Sequence, residues 1–148
     1  MNALGVILAG GQAQRMGGID KGRLKIGDAS ILEIIIKCLS FQLDKIVLNA
    51  NGDLTRFSDL EIDVIPDTIK GYVGPLAGIL SGLRFAEQNG FSSILTVASD
   101  TPFFPVDLLG KLSNVSPQQS ALISIAATEQ KDKLIRHPTF GLWSVSLA

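Results

Sequence analysis

The sequence has a single cysteine, Cys38, so it can form no disulfide within the chain and offers no cysteine-based zinc site. A reducing compartment suits such a chain, and the cytoplasm is the expected setting. Positive charge is not in excess either: 13 Lys and Arg stand against 14 Asp and Glu, a formal net charge of -1. With no basic stripe there is little counterion release to gain from a polyanion, which argues against nucleic acid as the main partner. Long apolar runs are also missing. The richest, from Ile31 to Leu43, is interrupted by Glu33 and Lys37. It falls short of the roughly 20 apolar residues that cross a bilayer, so no membrane association is expected. The opening MNALGVILAGG lacks a charged leader and passes into Gly-rich polar sequence instead of a small-residue cleavage site, so no export signal is read. Histidine occurs once, at His137 before Pro138. A lone histidine there can act as a base or simply occupy a proline-restricted bend.

What is present fits one compact domain: 148 residues, 46% of them hydrophobic. Ala3 to Leu8 is a short, nearly continuous apolar run bounded by glycines, the pattern of a strand buried on both faces of a parallel sheet. Similar runs recur at Lys45 to Asn49, Asp63 to Ile65, Ser92 to Ala98 and Ala121 to Ala127, with a last candidate at Thr139 to Val145. Ser30 and Glu33 have capping-box spacing, which predicts a helix from there to about Leu43. Its apolar stripe is Ile31, Leu32, Ile35, Ile36 and Leu39, with Glu33, Lys37 and Gln42 free to reach solvent. Gly74-Pro75 opens a second predicted helix with Leu76, Ile79, Leu80 and Leu83 as its stripe, ending near Asn89-Gly90. A shorter third helix is predicted from Pro105 to Leu112. Strands alternating with helices imply right-handed crossovers and an α/β, doubly wound, mostly parallel sheet with helices on both faces. Ligands of such sheets sit at the carboxyl ends of the strands, so the loops after Leu8, Asn49, Ile65 and Ala98 are the candidates for chemistry.

The loop after Leu8 is the richest of these. Gly10, Gly11, Gly17 and Gly18 let the backbone approach a ligand, and successive N–H groups can form an anion-binding nest. Arg15 and Lys21 add positive charge suited to a triphosphate, although a flexible surface loop with solvated charges would use the same residues. Neither GxxxxGK[ST] nor GxGxxG occurs there, which removes the main support for P-loop and dinucleotide-binding readings. Asp100 follows the run ending at Ala98 and is the best metal ligand, because Mg²⁺ takes one or two carboxylates plus phosphates and water. It can equally cap a turn. Asn49, Asn51 and Asp67 also close predicted strands, where amides and a carboxylate can meet a base edge or ribose, as well as serve ordinary turns. The start of the helix at Gly74 can face an anion or simply pack closely. Cys38 on the apolar helix is most simply core.

LAGG at 8–11, RMGG at 15–18 and Asp20-Lys21 resemble the signature of nucleotidyltransferases, and within that superfamily the molybdenum cofactor guanylyltransferase (MobA) family. The resemblance continues through Asn49-Ala-Asn51, Pro66-Asp67, Gly74 to Gly78, Ser99 to Pro102 and Arg136 to Thr139. It implies a Rossmann-like nucleotidyltransferase fold and transfer of GMP from GTP to molybdopterin. Arg15, Lys21 and Asp100 are then the catalytic candidates, with Leu8, Ala9, Gly10, Gly11, Lys21, Asn49, Asp67 and Asp100 contacting nucleotide and Asp100 holding Mg²⁺. A cytidylyltransferase acting on molybdopterin or a sugar phosphate, and a non-catalytic nucleotide-binding module, are the alternatives. Family members usually continue for some tens of residues beyond the strand near Thr139, so a C-terminal portion is expected to be missing here. An uncovered sheet edge would then invite self-association.

Overall fold

A computed structural model describes residues 2–10, 15–16, 19–71, 74–114 and 121–148. The chain order is β1 (Ala3–Leu8), β2 (Arg15–Met16), β3 (Ile19–Asp20), β4 (Lys25–Ile26), β5 (Ala29–Ser30), α1 (Ile31–Ser40), β6 (Ile46–Asn49), β7 (Asp63–Ile65), α2 (Pro75–Gln88), β8 (Ser93–Ala98), α3 (Leu108–Ser113), β9 (Ile123–Gln130) and β10 (Lys133–Ser144). Six strands form one sheet in the order β7-β6-β1-β8-β10-β9. The first four run parallel, and β10 and β9 complete it in antiparallel fashion.

Strand β1 sits between two parallel neighbours and is buried along its whole length. Its side chains alternate between two cores. Ala3 and Ile7 join Leu32, Ile35 and Leu39 of α1 and Leu108 and Leu112 of α3 on one face. Leu4, Val6 and Leu8 join Ile79, Leu83 and Ala86 of α2 on the other. The period of two along the strand thus meets helices on both faces, and burial of each large aliphatic side chain contributes roughly 1.5–3 kcal/mol. The capping box forms as spaced: the Glu33 N–H donates to Ser30 Oγ at 3.2 Å, and the Ser30 N–H donates to Glu33 Oε2 at 2.7 Å.

Five expectations are corrected. Helix α1 stops at Ser40 rather than Leu43, and Gln42 turns inward: its side-chain oxygen accepts the Leu109 N–H at 2.8 Å. That bond satisfies one of the free donors at the start of α3, which begins at Leu108 rather than Pro105. Leu76 lies in the first turn of α2 but is 66% exposed, because the buried face of the helix is made by Ala77, Gly78, Ile79, Gly82 and Leu83 instead. The run from Ala121 is not a buried parallel strand. It belongs to an exposed hairpin, β9–β10, turned by Lys131 and Asp132, both with positive φ. Two such residues make a type I′ turn, which normally carries Asn-Gly, so the Lys-Asp pair does not signal it. Pro138 interrupts the pairing between His137 and Gly141, after which β10 enters the core beside β8. Among the described residues, no helix is long and apolar enough to cross a membrane.

Candidate functional site

The carboxyl ends of β1, β6, β7 and β8 come together through backbone bonds. The Ala9 N–H donates to the Asn49 carbonyl at 2.8 Å, the Ser99 N–H to that of Leu8 at 3.2 Å, and the Ala50 N–H to that of Ile65 at 3.1 Å. Four of the loops marked out in the sequence therefore share one end of the sheet.

On the β6 side, Asn49, Asn51 and Asp67 interlock. Asn49 is buried at 1% exposure and its Nδ2 donates to Asp67 Oδ1 at 2.9 Å and to the Ile65 carbonyl at 3.2 Å. Asn51 Nδ2 donates to Asp67 Oδ2 at 2.9 Å and to the Gly10 carbonyl at 3.1 Å, while its Oδ1 accepts the Asp67 N–H at 2.8 Å. A carboxylate has about four acceptor positions, so two remain after both amides have bonded. Close backbone approach makes the cluster possible: a Cβ at Gly10 would lie 3.0 Å from Asn49 Oδ1, and one at Gly78 in α2 would overlap that oxygen. Gly78 thus serves close packing of α2 against Asn49, the simpler of the two readings left open for Gly74 to Gly78. Thr68 is held next to the cluster by Ser81, whose Oγ accepts the Thr68 N–H at 2.9 Å.

On the β8 side, Asp100 is exposed and accepts the Thr101 hydroxyl on Oδ1 at 3.0 Å. Lys21 opens a 3-10 turn, Lys21–Arg23, and is half-buried. Gly22 brings that turn to β8: a Cβ there would lie 3.1 Å from the Ser99 carbonyl and 2.7 Å from Leu32 Cγ. Gly22 was not singled out in the sequence, where nothing but its position after Lys21 marks it. Lys21 takes part in no ion pair among the described residues, whereas Arg23 pairs with Asp59 at 2.7 Å and Arg56 with Asp20 at 2.8 Å. Gly11 and the Arg15 side chain, both proposed from the motif, lie outside what is described; the Arg15 backbone pairs with that of Asp20 in the β2–β3 ladder.

Beside Asp100, the loop from Thr101, α3 and the hairpin enclose a cavity of about 200 Å³ lined by Phe103, Phe104, Leu108, Phe140 and His137 among others. His137 Nε2 lies 2.8 Å from Thr128 Oγ1, so the lone histidine belongs to this wall. Cys38 is half-buried, and burial pushes the pKa of its thiol up. No group of three or more His, Cys, Asp or Glu gathers among the described residues. One exposed carboxylate at a strand end suits Mg²⁺, which completes its shell with phosphate oxygens and water, and does not suit a protein-caged zinc.

Residues 5–148 match the family description "MobA-like NTP transferase domain". The chain is similar to molybdenum cofactor guanylyltransferases from Mesorhizobium japonicum, at 42% identity over 94% of this chain and 65% of that protein, and from Pasteurella multocida, at 41% over 97% and 72%. It therefore spans about two-thirds of the length of these relatives. Among solved structures, a nucleotidyl transferase from Methanothermobacter thermautotroptrophicus superposes with a TM-score of 0.68 at 16% identity, covering 98% of this chain and 72% of that one. A 4-diphosphocytidyl-2C-methyl-D-erythritol synthase superposes with a TM-score of 0.65 at 13% identity, covering 99% and 77%. These two likenesses establish the α/β nucleotidyltransferase fold.

Proposed function

Because the chain belongs to the MobA-like NTP transferase family, we propose that it transfers GMP from GTP to molybdopterin, giving the guanine dinucleotide cofactor and pyrophosphate. The observation that carries this reading is one sheet end holding a rigid amide–carboxylate cluster beside an exposed aspartate and a lysine without an acidic partner among the described residues. The relatives named molybdenum cofactor guanylyltransferase support the choice of guanine and acceptor.

The free acceptor positions of Asp67 suit the N1–H and N2–H₂ donors of guanine, with Asn49 holding the carboxylate in place. Lys21 and Arg15 meet the phosphates, and the Leu8 to Gly11 segment contacts the nucleotide through backbone groups other than the Ala9 N–H, which the Asn49 carbonyl takes. Asp100 would hold Mg²⁺, which when bound neutralises phosphate charge. An oxygen of the acceptor's terminal phosphate forms the new bond to the α-phosphorus as the bond to pyrophosphate breaks. That oxygen is already anionic and has no proton to lose, so positioning and charge neutralisation carry the step. Lys21 counters the charge that grows on the departing pyrophosphate. The chain acts as one nucleotidyltransferase domain in the cytoplasm, in keeping with its single reduced thiol.

The melting temperature on addition of GTP, CTP or ATP with Mg²⁺ tests the base. A ligand at 100 times its Kd adds about 2.7 kcal/mol to stability. GTP alone is expected to raise the midpoint. A CTP preference moves the chain to a cytidylyltransferase, and binding without turnover in the presence of molybdopterin makes it a nucleotide-binding module. The outer edge of β9, with Ile123 and Ile125 exposed, supports self-association through strand pairing. A monomeric mass at every concentration in light scattering would rule that out.

A further inference from the structure

The loop that leaves β1 is held at both of its ends by one short segment that follows β6. Asn51 takes the near end, through the Gly10 carbonyl at 3.1 Å. Arg56 takes the far end. Its Nε donates to Asp20 Oδ2 at 2.8 Å, and its Nη1 donates to the carbonyls of Asn51 and Asp53 at 2.7 and 2.6 Å. The guanidinium lies 4.3 Å from the centroid of Phe57, a ring with no exposed surface. The side chains of Arg56 and Asp20 are only 23% and 12% exposed. Arg23 and Asp59 join the same two segments, but Asp59 is 58% exposed, so water and salt weaken that pair.

Asp20 immediately precedes Lys21, and Asn51 bonds directly to Asp67. Resting on the reading of Lys21 as a phosphate contact and Asp67 as a base contact, we propose that Arg56 is a positioning residue for nucleotide transfer. Acting through Asp20, it sets how far Lys21 stands from the Asp67 cluster, and so matches the site to a base joined to its phosphate chain. The task needs the planar fork of arginine: three acceptors in different directions are met by one rigid group stacked on an aromatic face, whereas a lysine ammonium cannot reach all three at once.

The test compares Arg56→Gln and Arg56→Lys with the wild-type protein, both confirmed folded by melting. Affinities for GTP with Mg²⁺ and for guanosine are measured by calorimetry. Arg56→Gln is expected to weaken GTP about tenfold, as a displaced contact group does, while guanosine stays within about twofold. Arg56→Lys should fall between. Equal losses for both ligands, no loss for GTP, or no guanosine binding by the wild type overturns the proposal. A wild-type protein that binds no GTP instead overturns the functional reading beneath it.

Discussion

At the end of β6, the Asp67 carboxylate receives two amide N–H groups, and its own N–H is taken by Asn51. At the end of β8, Asp100 holds only the hydroxyl of its neighbour Thr101 among the described residues, and Lys21 has no acidic partner there. The two sides of one site are thus built in opposite ways. Half-buried polar groups must be satisfied within the protein, since each one left unpaired costs about 1–3 kcal/mol. They gain from it a geometry that is already in place when a base arrives. An exposed aspartate and a partly exposed lysine stay hydrated without such partners. They keep lone pairs and charge available for phosphate and metal, which bring the missing partners with them.

If the contrast holds, the β8 side can be altered with large loss of turnover and little loss of stability. Lys21→Ala should cut pyrophosphate release from GTP and molybdopterin about 100-fold, the scale of removing one charge-stabilising donor. Its melting temperature should stay within about 2 °C of wild type, because no described bond is lost. Turnover that survives unchanged breaks the comparison at its open side.

Asp67→Asn probes the closed side, where stability should fall together with nucleotide affinity. An amide there turns an N–H₂ group toward one of the two asparagine donors and leaves a donor unpaired. A loss of about 1–3 kcal/mol is expected. For a chain of this size that lowers the melting temperature by roughly 2–4 °C per kcal/mol. An undisturbed midpoint with GTP affinity retained would show the cluster to be incidental.

The smallest effect concerns the frame below. The Arg23 guanidinium holds the Asp59 carboxyl below its ordinary value of 3.8. Its pairing therefore stabilises the fold above that pH and is lost as pH falls through the lower folded value. In acid melting curves, Asp59→Asn should lose less than wild type on going below pH 3.8, with the two differing by a constant amount at neutral pH. Curves that stay parallel throughout would show that the pair adds nothing.

Much of this was legible in the linear sequence because it rests on local chemistry. The apolar runs ending at Leu8, Asn49 and Ala98 are strands because they are buried on two faces and carry no polar alternation, the shorter run ending at Ile65 adds a half-buried edge strand, and the Ser30–Glu33 box caps α1 through bonds spanning three residues. The glycines and cations after β1 and the polar residues closing three other strands were visible as candidates for the same reason: in a doubly wound sheet the strand ends define where a ligand lies. The β9–β10 hairpin was not visible, since its Lys-Asp turn carries no glycine or asparagine and its strand is half exposed. Nor was Arg56, one charged residue in a polar stretch, whose partners lie 36 residues away at Asp20 and within the loop at Asn51 and Asp53.

The order of residues thus determined which segments become strands and helices, and which polar groups stand at strand ends, because propensity, capping and burial periodicity act over a few residues. Tertiary structure alone decided that Asn49 and Asn51 both donate to Asp67, that Gly22 rests on the Ser99 carbonyl, and that Arg56 closes the loop at Asp20. Those contacts depend on how the crossovers lay distant strand ends side by side: burial of the apolar side chains brings the strands together, and the polar groups at their ends pair because leaving them unpaired away from water is costly.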